Sequence, residues 1–336
     1  MGRNWRAVFD VSFMRRALEL SARGLGETSP NPIVGAVIVA PSGEIIGSGF
    51  HAGGDHAEAI AIASASHIPE GSTLYVTLEP CNHTGKRPPC TQAILESGIQ
   101  SVVYAVADPN PIASGGAERL RAAGVQVESA MLAEEVAWSN RDWLTKVQLG
   151  RPRFVWKIAS TLDGLIAAAD GTSKWITCDE SRERVSVLRS QADAIVIGSG
   201  TALADNPRLN SRHGKNPIRI VVGTRSIPQD FHLHDDSAET FFISSITELL
   251  DLVASRGFNR VLVEAGPTLG TSLLKANLVD EIHLFQAPSL IGAGKSFISD
   301  LGIHTLSDRR DFSIKSISVS GTDIETILEV PCLLVS

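Results

Sequence analysis

His56, Glu58, Cys81 and Cys90 are the residues whose types and spacing most directly imply chemistry in this sequence. One imidazole and two thiolates are natural ligands of a zinc ion, and three protein ligands leave a fourth position open for water. Zinc lowers the pKa of such a water toward neutrality. Glu58 stands two residues after His56, where a carboxyl could carry one proton to a ring nitrogen and another to a departing amine. The chemistry implied is hydrolytic removal of an amino group from a nitrogen heterocycle, with one zinc ion per chain. Taken singly, each residue has an ordinary reading: a core histidine, a solvated helix glutamate, passive cysteines. The joint pattern carries the argument.

Separate elements must bring these groups together. Residues 56–65 read as a buried helix opening at His56, and 72–80 as a strand that delivers Cys81 to a strand-to-helix turn. Residues 91–98 read as a helix closed by Gly98, and a helix N-terminus beside Cys81 or Cys90 favours the thiolate. Around them, Ser12 can cap a helix that Gly24 ends, and 33–40 with 44–50 form a strand pair about Pro41-Ser42-Gly43. A strand at 101–107, a helix at 118–124 and a strand at 125–130 complete a layered α/β rhythm. Residues 132–150 read as one helix, broken by Arg151-Pro152-Arg153, which sets domains at 1–150 and 151–336. In the second half, strands at 154–160, 194–198, 218–223, 239–244, 260–266 and 281–288 accompany helices at 179–191, 246–257 and 268–277. A hairpin about Ser320-Gly321-Thr322 adds an antiparallel edge.

Composition narrows the class. With 43% hydrophobic and 20% charged residues, 336 residues can build two cores. A net charge of −7 without a basic block argues against a nucleic-acid substrate. No run approaches the ~20 apolar residues that span a bilayer, and the charged start lacks the apolar centre of a secretory signal. The expectation is a cytoplasmic protein with no membrane partner. Cys178 and Cys332 read as small buried hydrophobes.

The H-x-E…P-C pattern is that of the zinc deaminases, in which the glutamate is an acid/base and not a ligand. Those acting on nucleobases and nucleosides usually show P-C-x-x-C. Here eight residues separate Cys81 from Cys90, and they put His83 and Lys86 near the metal mouth. With S-P-N-P-I-V-G (29–35), H-A-E (56–58), T-L-E-P-C-N-H-T-G-K-R-P-P-C (77–90) and D-P-N-P (108–111), the chain resembles the bifunctional deaminase-reductases of riboflavin biosynthesis. The second half matches through K-I-A-S-T-L-D-G (157–164), K-W-I-T (174–177), G-S-G-T-A-L-A-D-N-P-R-L (198–209), V-E-A-G-P-T-L (263–269) and L-V-D-E-I (278–282). The resemblance implies a cytidine-deaminase-like α/β/α domain, then a dihydrofolate-reductase-like α/β domain, in a homo-oligomer. It implies a small-molecule ribosylaminopyrimidine 5′-phosphate substrate whose C2 amino group becomes a carbonyl. Asn31, Lys86, Asp108 and Asn110 would line that pocket, although Asn-Pro pairs also start turns. The segments 51–56 and 112–118 are shorter than the family commonly has.

For the second domain, the residues alone show two Gly-rich turns after apolar strands, at 198–201 and 266–270, where free backbone N–H groups can hold phosphate. No G-x-G-x-x-G fingerprint is present. The resemblance implies an NADPH-dependent reductase that converts the ribosyl group to ribityl. It places Ala159, Trp175, Thr201, Asp205, Thr224 and the turn Gly266, Pro267, Thr268, Leu269, Gly270, Thr271, Ser272 on NADPH. It places Lys157, Ser173, Arg189, Leu209, Arg212 and Glu264 on the substrate, with Arg189 and Arg212 suited to its phosphate. Lys157, Asp205 and Glu264 are the ionisable candidates for the proton of the reduction. Gly223-Thr224 stands where the family more often has Asp-Ser. Two alternatives remain at this point: a zinc deaminase whose second half is a non-catalytic nucleotide-binding module, and a nucleic-acid editing deaminase.

Overall fold

The computed structural model describes residues 9–84 and 88–330, so Lys86 and Cys332 lie outside the described residues. The chain divides into two compact units, Met1–Leu149 and Gly150–Ser336.

The first unit runs α1 (Val11–Ser21), β1 (Gly35–Val39), β2 (Ile45–Phe50), α2 (Ala57–Ser64), β3 (Thr73–Leu78), α3 (Cys90–Ser97), β4 (Ser101–Val106), α4 (Gly116–Ala122), β5 (Gln126–Glu128), α5 (Ala133–Ser139) and α6 (Arg141–Leu149). Its sheet has the order β2-β1-β3-β4-β5, antiparallel at β2-β1-β3 and parallel from β3 to β5. The strands are apolar on both faces, because successive side chains point to opposite sides of a sheet. Ala36, Ile38, Leu74, Val76 and Val102 pack against α2, α3, α4 and α6. Val37, Val39, Tyr75, Val103 and Ala105 pack against α1 and α5. Three layers result, as expected.

Two local expectations need correction. The cap of α1 is Asp10, whose carboxylate accepts the Ser12 N–H at 2.8 Å, so Ser12 lies inside the helix. The single helix at 132–150 is two helices meeting at Asn140. The Asn140 side chain there accepts the Ile33 N–H at 3.0 Å and donates to the Ile33 carbonyl at 2.7 Å. The break gives up helix continuity and clamps the segment that carries Asn31.

The second unit runs β6 (Arg153–Ser160), β7 (Leu165–Ala168), α7 (Asp179–Ser190), β8 (Ala194–Gly198), α8 (Ser199–Asp205), β9 (Ile218–Val222), β10 (Thr240–Ile243), α9 (Ile246–Ser255), β11 (Arg260–Val263), α10 (Pro267–Lys275), β12 (Glu281–Gln286), β13 (Gly294–Ser296), β14 (Ser313–Ser320) and β15 (Asp323–Glu329). Its eight-stranded sheet has the order β10-β9-β8-β11-β6-β12-β15-β14. The first six of these strands are parallel and the terminal hairpin is antiparallel. Phe154, Trp156, Val196 and Val263 face α9 and α10, while Val155, Ile195, Ile197 and Leu262 face α7 and α8. β7 and β13 pair as a separate ribbon that the sequence did not announce. Cys178 is only half-buried and donates its thiol to the Ser320 carbonyl at 3.1 Å, contrary to the buried reading.

Candidate active sites

α2 starts where the chain turns back from β2, and Gly49 lets it lie close. A Cβ on Gly49 would stand 2.5 Å from the Ala57 carbonyl oxygen. His56 is the N-cap residue of α2 and Glu58 lies in its first turn. β3 ends at Leu78 and carries the chain through Glu79 and Pro80 to Cys81. Cys90 opens α3, and its backbone N–H points at the Cys81 sulfur at 3.4 Å.

The three ligand atoms lie within 4.8 Å of one another, with His56 Nδ1 at 3.1 Å from Cys90 Sγ and 3.6 Å from Cys81 Sγ. Metal–ligand bonds of about 2.0–2.3 Å in a tetrahedron require ligand atoms roughly 3.5–3.8 Å apart. The donor set fits zinc, with His56 and Cys81 at the tetrahedral separation and His56 and Cys90 closer than it. A hydrogen bond from the Cys90 thiol is the main cause that holds Cys81 down at about 4, and the same bond pushes Cys90 up. A coordinated dication takes the place of that shared proton.

Glu58 is 4% exposed, and burial, reinforced by the charge on Cys81, raises its carboxyl to about 7. A group that must take and release protons near neutrality works best at such a value. It faces a cavity of about 370 Å³ whose walls also include Asn31, Asp108, Asn110 and His83. Asn110 serves both readings: it lines the cavity, and its side-chain oxygen accepts the Ile112 N–H at 3.1 Å in a turn.

Three further residues were not singled out from sequence. His51 Nδ1 lies 2.9 Å from the Asp55 carbonyl, so that nitrogen carries the proton. Its Nε2 is then left to accept from the Asn31 amide at 3.4 Å. Burial, and then His56, lower the His51 pKa, which keeps that arrangement neutral. Glu79 accepts from the backbone N–H of Asp108 at 3.2 Å and of Ala117 at 2.9 Å, tying the Asp108 loop to α4. Asn140 clamps Ile33, as described above. Each acts through one or two hydrogen bonds; Glu79 stands within the 77–90 motif, while His51 and Asn140 leave no periodic or motif signal.

In the second unit a cavity of about 1020 Å³ adjoins one of about 500 Å³, with Lys157, Ala159, Ser173 and Asp205 in the walls of both. The larger stands at the top of the ordinary range for a ligand pocket. Gly200, Thr201 and Gly266 line it, and a Cβ on Gly266 would stand 3.5 Å from Thr201 Oγ1. A bare backbone at that point lets a phosphate approach, so the site fits a dinucleotide.

Glu264 accepts from Arg189 at 2.6 and 2.9 Å and from Lys157 at 2.9 Å. Burial alone would raise its carboxyl, but Arg189 and Lys157 overcome that and hold it at about 2. The Arg189 fork is therefore already engaged, with Nη1 also donating to the Asn210 carbonyl at 3.2 Å. Arg189 and Arg212 line the smaller cavity, and Arg212 pairs with Glu183 at 2.9 Å.

Several expected contacts are placed otherwise. Leu209 is 3% exposed and belongs to the core, outside the walls of both cavities. Trp175 lines the smaller cavity, not the larger, beneath the Arg182 guanidinium. Thr224 is exposed and outside both walls. Of the segment 266–272, only Gly266 reaches the cavity, because Pro267 begins α10. Gly270 is needed for packing: a Cβ there would clash with the Trp156 ring.

Comparisons with known proteins agree with this geometry. Residues 8–106 match the model of the cytidine and deoxycytidylate deaminase zinc-binding region, and residues 152–326 match that of the RibD C-terminal domain. The chain is 43% identical over 320 residues to the riboflavin biosynthesis protein RibD of Mycobacterium tuberculosis H37Rv, covering 93% of this chain and 94% of that one. With RibD of Escherichia coli K12 it shares 37% over 359 residues, covering 94% and 98%. A crystal structure of the Thermotoga maritima diaminohydroxyphosphoribosylaminopyrimidine deaminase/5-amino-6-(5-phosphoribosylamino)uracil reductase superposes with a TM-score of 0.89 at 36% identity, covering 95% and 98%. Acinetobacter baumannii RibD gives 0.86 at 33% identity, with the same coverage. Zinc triangle, dinucleotide cavity and full-length similarity converge on one conclusion: the chain belongs to the RibD family of riboflavin biosynthesis proteins.

Proposed function

We propose that this chain catalyses two successive reactions on one substrate, 2,5-diamino-6-ribosylamino-4(3H)-pyrimidinone 5′-phosphate, the first in residues 1–150 and the second in residues 151–336. Water replaces the C2 amino group, giving a carbonyl and ammonia. NADPH then reduces the ribosyl side chain to ribityl. The observation that carries this reading is the His56, Cys81, Cys90 triangle facing buried Glu58, on a chain that matches the family through both halves.

Zinc, held by His56, Cys81 and Cys90, supplies the acidity that readies water at neutral pH, and NADPH supplies the reducing equivalents. The remaining work belongs to the side chains. Glu58, with a carboxyl near 7, carries one proton from water to the ring nitrogen as the C–O bond forms, and a second from the adduct's hydroxyl to the amine as the C–N bond breaks. Asn31, oriented by His51, offers donor and acceptor to the ring edge. Asp108 and Asn110 line the opposite loop, held by Glu79.

In the second unit, Glu264 stays a carboxylate near neutrality and so is not the proton source. It positions Arg189 and Lys157 at the substrate cavity. Lys157 and Asp205 are present in both walls. The match of residues 152–326 to the RibD C-terminal domain favours a reductase over a passive nucleotide-binding module.

No helix among the described residues is long and apolar enough to cross a membrane. We place the enzyme in the cytoplasm, acting on a small molecule as a homo-oligomer. The oligomer is supported by the outer strand β14, which exposes Ile314, Ile317 and Val319.

The test is an assay that records ammonia release and, after NADPH is added, the fall in nicotinamide absorbance. Ammonia release independent of NADPH, followed by NADPH oxidation, is expected. Ammonia without oxidation would reduce the second half to a binding module, and no ammonia would sink the deaminase reading.

A further inference from the structure

The parallel strands of the second unit end side by side, and each end carries a piece of the large cavity or its rim. β6 supplies Lys157 and Ala159, the turn after β11 supplies Glu264 and Gly266, and the start of α8, directly after β8, supplies Gly200 and Thr201. The turn after β9 continues that row with Gly223, Thr224 and Arg225. Ligands of open parallel sheets lie across such a row, outside the carboxyl ends of the strands. Neighbouring strands stand about 4.8 Å apart, so three steps from β6 to β9 cover about 14 Å.

The direction of the cofactor along the row follows from the substrate. The smaller cavity shares Lys157 and Ala159 at the β6 end with the larger. The reacting nicotinamide must meet the substrate there. The diphosphate then lies over Gly266 and Gly200, and the adenosine falls at the β9 end.

Arg225 is the cation at that end. Its guanidinium leans back over α8, with Nη2 3.5 Å and Nη1 3.8 Å from where a Cβ on Gly200 would stand. It is exposed and makes no hydrogen bond or ion pair among the described residues. The segment 223–229 carries no carboxylate that could pair with it or accept a ribose hydroxyl. Gly223 brings this turn against α8, since a Cβ there would clash with Ser199 Oγ. A guanidinium fork matches a phosphate bidentately. The two nicotinamide cofactors differ only by a phosphate on the adenosine 2′ position, at the end of the molecule where Arg225 stands.

We propose that Arg225 reads the 2′-phosphate and so sets the preference of this reductase for NADPH over NADH. The proposal rests on the reading of the second unit as an NADPH reductase. Lys295 provides the contrast. It lines the large cavity with Nζ 4.0 Å from the Cβ position of Gly266, over the middle of the row. Both cofactors carry the same diphosphate there, so Lys295 does not discriminate between them.

The experiment is calorimetric titration of the full chain with adenosine 2′,5′-bisphosphate and adenosine 5′-monophosphate, with kcat/KM for NADPH and NADH measured alongside. The wild type is expected to prefer the bisphosphate. Arg225→Ala, and Arg225→Gln as its isosteric check, should lower bisphosphate affinity at least tenfold. The NADPH/NADH ratio of kcat/KM should fall by a similar factor, with part recovered in Arg225→Lys. Lys295→Ala should weaken both nucleotides alike. An unchanged preference in Arg225→Ala, or loss of preference in Lys295→Ala, would overturn the proposal while leaving the NADPH reading intact. A wild type that neither binds the bisphosphate nor oxidises NADPH would remove that reading, and the proposal with it.

Discussion

Glu264 couples two cations that line the smaller cavity of the second unit, so neutralising it should disturb both at once. Its folded value of about 2 lies below the ordinary 4.5 of a glutamate. The stability it contributes is therefore present above pH 4.5 and lost as pH falls from 4.5 toward 2, on the order of 3 kcal/mol. Glu264→Gln should lose about 3 kcal/mol at neutral pH, because two partly buried cations lose their counter-charge. Urea unfolding at pH 7 and pH 3 checks this: the wild type should weaken more than the variant on acidification. Glu58→Gln should keep its zinc by elemental analysis, lose ammonia release by about 10²–10⁴-fold, and still reduce the deaminated substrate. Loss of the metal in that variant would show that Glu58 is not merely an acid/base. The zinc triangle and Glu58 were legible in the sequence because metal chemistry admits few residue types and fixes their spacing. The second site was less so. A dinucleotide can be held by backbone at strand ends, a task any side chain tolerates, so residue type there carries little signal; Leu209, expected on the substrate, lies in the core instead.

Elements place these residues, and the joints between elements matter most. Asn140 ends α5, starts α6 and clamps both backbone groups of Ile33. Asn140→Ala should cost about 1–3 kcal/mol through the unpaired buried groups it leaves. It should also raise KM for deamination more than it lowers kcat, since Asn31 is freed while Glu58 is untouched. Thermal melting and steady-state ammonia kinetics separate those effects, and a kcat loss with KM unchanged would contradict the positioning role. Helix and strand periodicity announced the main elements of both units. What escaped was short or depended on a partner. β7 and β13 are too brief to show alternation and exist only as a pair. The break at Asn140 is paid for by a hydrogen-bond partner more than a hundred residues away. The cap at Asp10 rather than Ser12 is a one-residue ambiguity between two good capping types.

For the molecule as a whole, one metal and one cofactor serve different halves. A chelator should stop ammonia release and leave NADPH oxidation on the deaminated substrate running, which a coupled assay with zinc restored afterwards would verify. Ile317→Lys on the exposed face of β14 should lower the mass measured by light scattering if that strand builds the oligomer. The strand order of the second sheet also bears on how the protein is made. β6 and β8 emerge early from the ribosome, but neither touches the other, because β11 lies between them. β12 likewise waits for β15, near the chain's end. The first unit, whose parallel partners follow one another closely, can fold while the second is still being synthesised. Contacts between distant segments slow folding. The reductase half should therefore be the slow step of refolding and the half that most needs protection from aggregation during expression.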